Sequence, residues 1–86
     1  MRYKPVVPVV LRHGPYRFLF FSNEGLPREP AHVHVRRGRA LAKIALEPTV
    51  DLVASFGFAS KDLRAILRLA RLHRDALRRR WDAFFR

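Results

Sequence analysis

Short runs of β-branched and aromatic residues occupy the first half of the chain, and glycine or proline separates one run from the next. The runs at residues 9–12 and 16–21 flank a His-Gly-Pro turn sequence and predict two strands. The strand at 16–21 is largely apolar on both faces, so we expect it inside a sheet. Pro8 lacks an amide donor, so we expect the first strand to lie at a sheet edge or to start beyond the proline. Residues 23–30 contain one glycine and two prolines, which predicts a loop.

Residues 31–47 show the alternation that is typical of a β-hairpin. Arg37 and Gly38 are expected to form a two-residue loop, because glycine supplies the positive φ that such loops need. This loop places Val35 opposite Ala40, and it collects small and apolar residues on one face. On the other face of the hairpin, the predicted pairs are Arg36 with Arg39, His34 with Leu41, and His32 with Lys43. After the hairpin, a short fifth strand is expected at 49–53.

The last third of the chain has neither glycine nor proline after residue 60, and its apolar residues recur at spacings of three and four. This periodicity predicts one helix of about 25 residues. Ser60 is the expected N-cap, and Asp62 complements the helix dipole in the first turn. A kink is expected near His73, where the apolar stripe is interrupted. The stripe consists of Leu63, Ile66, Leu67, Ala70, Leu77, Trp81 and Phe84.

Together these elements predict one α+β domain over residues 1–86. A mainly antiparallel sheet of four to five strands is followed by a long C-terminal helix that packs on one face. The chain contains no cysteine, so it offers neither a disulfide framework nor a thiolate nucleophile. It shows no secretory signal and no apolar run long enough to span a membrane. We therefore expect a cytoplasmic protein with no membrane association.

Net charge adds the first indication of a partner. The chain has 18 Lys and Arg residues against 7 Asp and Glu, a formal net charge of +11. Such an excess favours polyanions, and RNA or DNA is the first expectation. The candidate nucleic-acid-binding residues are Arg36, Arg37, Arg39, Lys43, Arg64, Arg68 and Arg71.

The strand that carries His32 and His34 is the segment whose side chains could take part in a reaction. Side chains two apart in a strand point the same way, so the two imidazoles project together, with Lys43 across the hairpin. One imidazole could take a proton from a 2′-hydroxyl while the other protonates the leaving oxygen, and Lys43 would neutralise the developing charge. His32, His34 and Lys43 are therefore the candidate catalytic residues of a metal-independent ribonuclease.

Two other interpretations of the histidines stay open. A metal ion would need further ligands from distant positions, and the neighbouring cations repel it, so no metal and no cofactor is expected. Alternatively, the histidines are structural and form a hydrogen-bonded layer across the hairpin, with Glu29 as a local partner.

The order of several motifs resembles a bacterial family of small stand-alone proteins that is catalogued only as a domain of unknown function. The motifs are V-L-R-x-G-P-Y-R-F-x-F-F-S-N-E at residues 10–24, E-P-x-H-V-H-V at 29–35, A-K at 42–43, G-F-x-S at 57–60, and Trp81. The chain departs from the expected family pattern at residues 36–39, which are more basic. The positions that match the family pattern and bear on chemistry are Glu29, His32, His34 and Lys43.

The resemblance implies a place in two-gene operons of the toxin–antitoxin type, beside another small protein. We therefore expect a component of such a pair that acts through a protein partner encoded nearby, through RNA, or through both. The alternative is the ribonuclease-like enzyme that uses His32 and His34.

Overall fold

The computed structural model describes residues 8–21 and 29–85. Within these residues, five strands precede two helices, so the predicted α+β class is confirmed. Most of the predicted loop at 23–30 lies outside the described residues. The strands are β1 (Val9–His13), β2 (Tyr16–Leu19), β3 (His32–Arg37), β4 (Ala40–Ala45) and β5 (Asp51–Phe56), and the helices are α1 (Ser60–Leu72) and α2 (Arg74–Phe84).

The strands form one sheet in chain order, β1-β2-β3-β4-β5, and each strand is antiparallel to its neighbours. β1 lies at an edge and β2 lies inside the sheet, as the sequence predicted. β5 forms the second edge. It begins at Asp51 and continues to Phe56, so the predicted fifth strand at 49–53 was placed too early.

The β3–β4 hairpin has a different register from the predicted one. Arg37 pairs with Ala40, so the turn consists of Gly38 and Arg39. Gly38 has a φ of +58°, and no residue other than glycine has a positive φ among those described. These signs fit a type II′ turn, which needs glycine at its first central position. Val35 consequently lies opposite Ala42. The shift is two residues, so the predicted sorting of side chains between the two faces is retained.

One face of the sheet, here called the core face, packs against the helices. It carries Phe18, Val35 and Ile44, all buried and in one cluster with Ile66 of α1 and with α2. Trp81 of α2 contacts Phe20 edge to face, with ring centroids 5.4 Å apart. Full burial of one such side chain stabilises the fold by about 1.5–3 kcal/mol. The opposite face, here called the distal face, carries the other half of each strand.

The C-terminal stripe forms two helices and not one. α1 ends at Leu72 and α2 begins at Arg74, with His73 between them at φ −104° and ψ 15°. The break coincides with a tertiary contact, because Nε of Arg74 donates to the Leu46 carbonyl at 3.0 Å. The residue before α1 is Ala59, without a side-chain cap, so the predicted N-cap at Ser60 was wrong by one position.

Candidate nucleic-acid interface

Three arginines lie directly opposite one another across three strands on the distal face. Arg12 of β1 pairs with Arg17 of β2, and Arg17 pairs with Arg36 of β3. All three are exposed. Neighbouring strands are about 4.8 Å apart, so this arginine row spans about 10 Å.

The arginine row is not neutralised within the described part of the chain, where none of its three members forms an ion pair. Other basic side chains do form ion pairs with acids: Arg37 Nη1 lies 3.6 Å from Asp62 Oδ1. Like charges directly opposite each other in a sheet are destabilising. Repulsion within the row therefore destabilises the fold, and an anion that binds to the row would relieve this repulsion.

The row beside the arginines contains two of the three predicted catalytic residues, His34 and Lys43. His34 pairs with Leu19 on one side and with Lys43 on the other. The sequence had placed His32 opposite Lys43, and the shifted register corrects this: His32 pairs with Ala45. His34 and Lys43 are therefore the direct cross-strand neighbours.

Both histidines are buried. His32 is 3% exposed and His34 is 6% exposed. His32 Nδ1 donates to the Pro30 carbonyl at 2.9 Å, since a carbonyl oxygen can only accept. The His32 ring also contacts Trp81 at a centroid distance of 4.8 Å, and the His34 ring stacks on Phe21 at 4.1 Å. These contacts favour a packing role for the pair.

Glu29 joins the histidine strand to Lys43. Its Oε1 lies 4.0 Å from Lys43 Nζ and 4.0 Å from His32 Nδ1. Lys43, a predicted nucleic-acid contact, is half-buried, and the Glu29 carboxylate offsets its positive charge. Lys43 consequently presents a weaker site for phosphate than the exposed arginine row.

The other predicted basic residues lie on different surfaces. Arg37 is the last residue of β3 and Arg39 lies in the β3–β4 turn. Arg37 forms an ion pair with Asp62 of α1. The α1 arginines are exposed on the helix that packs on the core face, away from the arginine row. Of the predicted set, only Arg36 belongs to the row. The α1 arginines are Arg64, Arg68 and Arg71.

Arg12 and Arg17 were missed by the sequence reasoning. Each is a single arginine in a short apolar strand, and its significance appears only when the register of β1 with β2 and of β2 with β3 is known. The signal in the sequence is the equal distance of Arg12 and Arg17 from the Gly14-Pro15 turn, since one residue separates each arginine from it.

A separate polar contact fixes the turn end of the sheet to the helix. The Tyr16 hydroxyl donates to Asp62 Oδ1 at 2.7 Å. This hydrogen bond, with burial and the negative charge of Asp62, raises the pKa of Tyr16, and Arg37 opposes the rise.

Among the described residues, no three His, Asp or Glu side chains are grouped so that they could hold a metal ion. The same residues include no helix with the length and apolarity that crossing a membrane requires.

The fold and the arginine row define a basic α+β protein built on a five-stranded meander. Residues 16–82 match the family described as Domain of unknown function (DUF4160). Because the match covers most of the chain, the chain belongs to this family, and the resemblance drawn from its motifs is confirmed at that level. No curated protein and no solved structure matches the chain.

Proposed function

We propose that this chain is the nucleic-acid-binding component of a bacterial pair of the toxin–antitoxin type, and that its arginine row binds the phosphates of single-stranded RNA. The observation that carries the proposal is the alignment of Arg12, Arg17 and Arg36 on one exposed surface. The pairing with a second protein follows from the family resemblance of the motifs.

The chemistry of the row suits phosphate. A guanidinium presents a planar fork of donors that matches a phosphate group in two hydrogen bonds. A flat sheet surface accepts an extended single strand, whereas the major groove of a duplex needs a protruding helix or ribbon. Tyr16, Phe18 and Phe20 of β2 and its continuation are buried, so they are not available to stack on bases. Binding through phosphates therefore carries little sequence preference.

The test is the affinity of the purified chain for a fluorescent single-stranded RNA. Arg17 lies at the centre of the row, and we expect Arg17→Gln to weaken binding about tenfold, or 1.4 kcal/mol. The same change should raise the melting temperature slightly, because it relieves repulsion from Arg12 and Arg36.

Arg80→Gln is the matched control, since Arg80 is an exposed arginine of α2 and its loss changes the net charge equally. It should leave the affinity within about twofold, as expected for a charge outside the contact. An equal loss in both variants, or no loss with Arg17→Gln, would contradict the proposal.

A metal-independent ribonuclease that uses His32 and His34 is the second candidate. It is favoured by the 5.4 Å distance between the two ring centroids and by the position of Lys43 directly opposite His34. The burial of both rings weighs against it, because a general base must reach the proton it abstracts.

Single His32→Ala and His34→Ala variants separate the candidates. A catalytic pair loses about a hundredfold or more in cleavage rate while the fold stays intact. A packing role instead lowers the free energy of unfolding by about 1–3 kcal/mol and leaves RNA affinity unchanged once the folded fraction is corrected for. We expect the second result, and the measurements are an RNA cleavage assay and thermal unfolding on the same samples.

A further inference from the structure

The edge strand β5 exposes apolar side chains along its length. Every residue of β5 is exposed. Leu52 is 39% exposed, Val53 is 55% exposed and Phe56 is 73% exposed. An aromatic ring that is exposed to this extent contributes little to the stability of the chain itself, since the burial of apolar area is what stabilises.

Edge strands in soluble proteins are usually protected from pairing with other chains. Lysine, proline, a bulge or a covering element serves this purpose. β5 has neither lysine nor proline, and Asp51 is its one charged residue. A register shift in the pairing with β4 leaves Val53 outside the ladder as a bulge. The bulge limits indiscriminate pairing, but the segment from Ala54 to Phe56 keeps a regular register beyond it.

The surroundings of β5 are positive. Arg39 lies beside Phe56 and Gly57 at one end of the strand, and Arg71 lies beside Thr49 and Asp51 at the other end. In the part of the chain that the structure describes, neither arginine forms an ion pair. Charge complementarity therefore favours an acidic occupant at both ends of the strand.

A second copy of the chain does not satisfy these charges. Antiparallel pairing of β5 with itself would bring Arg39 of one copy against the end of the other that carries both Arg71 and Asp51, so one acid would face two arginines. Two chains with a formal net charge of +11 each also repel as whole molecules. RNA is a poor match as well: its bases can stack on an aromatic ring such as Phe56, but RNA cannot continue the main-chain hydrogen-bond ladder at the free edge of β5.

We propose that β5 binds an extended acidic segment of a partner protein, which adds to the sheet as a sixth strand beside Ala54 to Phe56. Main-chain hydrogen bonds provide affinity in this mode of recognition, and side-chain contacts provide specificity. Phe56 supplies the apolar contact, and Arg39 and Arg71 bind acidic side chains of the segment. Phe56 lies in the same cross-strand row of the distal face as Arg36, with Leu41 between them. The segment binds the free edge of β5, however, so this inference goes beyond the proposed RNA binding.

The experiment uses the full chain and a short synthetic peptide that alternates Glu with Val. Fluorescence anisotropy measures affinity, and amide hydrogen exchange locates the contact. We expect protection of β5 amides, and we expect Phe56→Asp to weaken binding at least about tenfold, as for an aromatic anchor. Leu72→Asp is the matched control, because Leu72 is 74% exposed on α1, and it should bind the peptide as the original chain does.

Arg39→Glu provides a second test that leaves the apolar surface intact. Arg39→Glu should weaken binding of the Glu-Val peptide and strengthen binding of a Lys-Val peptide of the same length. Arg80→Glu should change neither affinity to a comparable extent. The proposal is overturned if the Glu-Val peptide leaves β5 exchange unchanged or protects another element, or if the Lys-Val peptide binds the original chain equally well. A concentration-dependent dimer that Phe56→Asp abolishes would identify a second copy as the occupant, and protection of β5 by single-stranded RNA would identify a nucleic acid. Either result also overturns it.

Discussion

At the scale of single residues, Tyr16 joins β2 to α1 because its hydroxyl group donates a hydrogen bond to Asp62 Oδ1. Asp62 also lies 3.6 Å from Arg37 Nη1, so one carboxylate holds a residue of β2 and a residue of β3 against the helix. A hydrogen bond of this kind contributes about 1 kcal/mol net to stability. The loss of the hydroxyl should therefore be visible in unfolding measurements.

The contact also makes stability depend on pH in the alkaline range. The pKa of Tyr16 in the folded chain is raised by the hydrogen bond to Asp62, whereas the unfolded chain keeps the ordinary value near 10. At high pH the unfolded state therefore binds fewer protons than the folded state, and stability falls as pH rises. The stabilisation is fully present below the unfolded pKa and is lost as pH rises through the folded pKa.

We expect Tyr16→Phe to be less stable than the original chain by about 1 kcal/mol at neutral pH. This difference should shrink as the pH is raised above about 10, because only the original chain loses the Tyr16 hydrogen bond there. Urea unfolding of both proteins at a series of pH values measures the difference. A gap that stays constant across the alkaline range would show that the hydroxyl does not titrate as inferred.

The residue scale also shows where sequence reasoning stops. The alternation of side chains along a strand sufficed to predict that His32, His34 and Arg36 share one face. It could not predict that Arg12 and Arg17 continue this surface, because cross-strand neighbours depend on pairing between separate strands. The burial of the histidines was likewise invisible, since Phe21 and Trp81 reach them from other parts of the chain.

At the scale of elements, the β3–β4 turn tests the register. Gly38 adopts a φ of +58°, and an added Cβ would meet no atom within 4 Å. The cost of replacing it is therefore conformational and not steric crowding. We expect Gly38→Val to lower the free energy of unfolding by about 1 kcal/mol or more.

Gly38→Asn is the control for this prediction, because asparagine tolerates the left-handed region better than a β-branched residue does. It should cost clearly less than Gly38→Val in the same thermal unfolding assay. Equal melting temperatures for the original chain and Gly38→Val would mean that the turn does not adopt this conformation.

The break between α1 and α2 depends on Arg74. Its Nε donates to the Leu46 carbonyl, and its Nη2 lies 3.3 Å from the Pro48 carbonyl. We expect Arg74→Ala to destabilise the chain by about 1–3 kcal/mol, the range for charged hydrogen bonds. Arg74→Lys should recover only part of this loss, because an ammonium cannot present the same fork of donors.

The exposed Arg79 lies on the same helix, and Arg79→Ala should change the melting temperature little, as is usual for surface positions. If Arg79→Ala and Arg74→Ala are equally destabilising, the carbonyl contacts of Arg74 contribute nothing specific.

Element types were thus easier to predict than element boundaries. The apolar stripe after residue 60 correctly predicted helix, because its period is a local property of the sequence. The interruption of the stripe correctly predicted a kink near His73 but not two separate helices, since the break accompanies hydrogen bonds from Arg74 to residues that are 26 and 28 positions away. The hairpin loop was misplaced for a related reason. Patterning fixes which residues share a face but permits a shift of two residues, and the φ of Gly38 decides between the alternatives.

At the scale of the whole molecule, the question is whether RNA affinity arises from net charge or from the arginine row. Several acids are already used by ion pairs, such as Glu47 with Arg78 at 3.2 Å and Asp62 with Arg37 at 3.6 Å. The positive charge that remains is spread over the sheet, the turn and both helices. Net charge alone would attract RNA to all of these surfaces equally.

Salt dependence distinguishes the two origins. For single strands, the logarithm of the binding constant falls with the logarithm of salt concentration with a slope of about −0.7 for each phosphate contacted. We expect binding to weaken steeply with salt, and we expect Arg17→Gln to make the slope shallower by about 0.7, since it removes one contact of the row. Arg80→Gln carries the same charge change outside the row and should keep the original slope. Titrations of one labelled RNA with the three proteins at several salt concentrations measure these slopes. If the two variants change the slope equally, the affinity belongs to the net charge and not to the alignment of Arg12, Arg17 and Arg36.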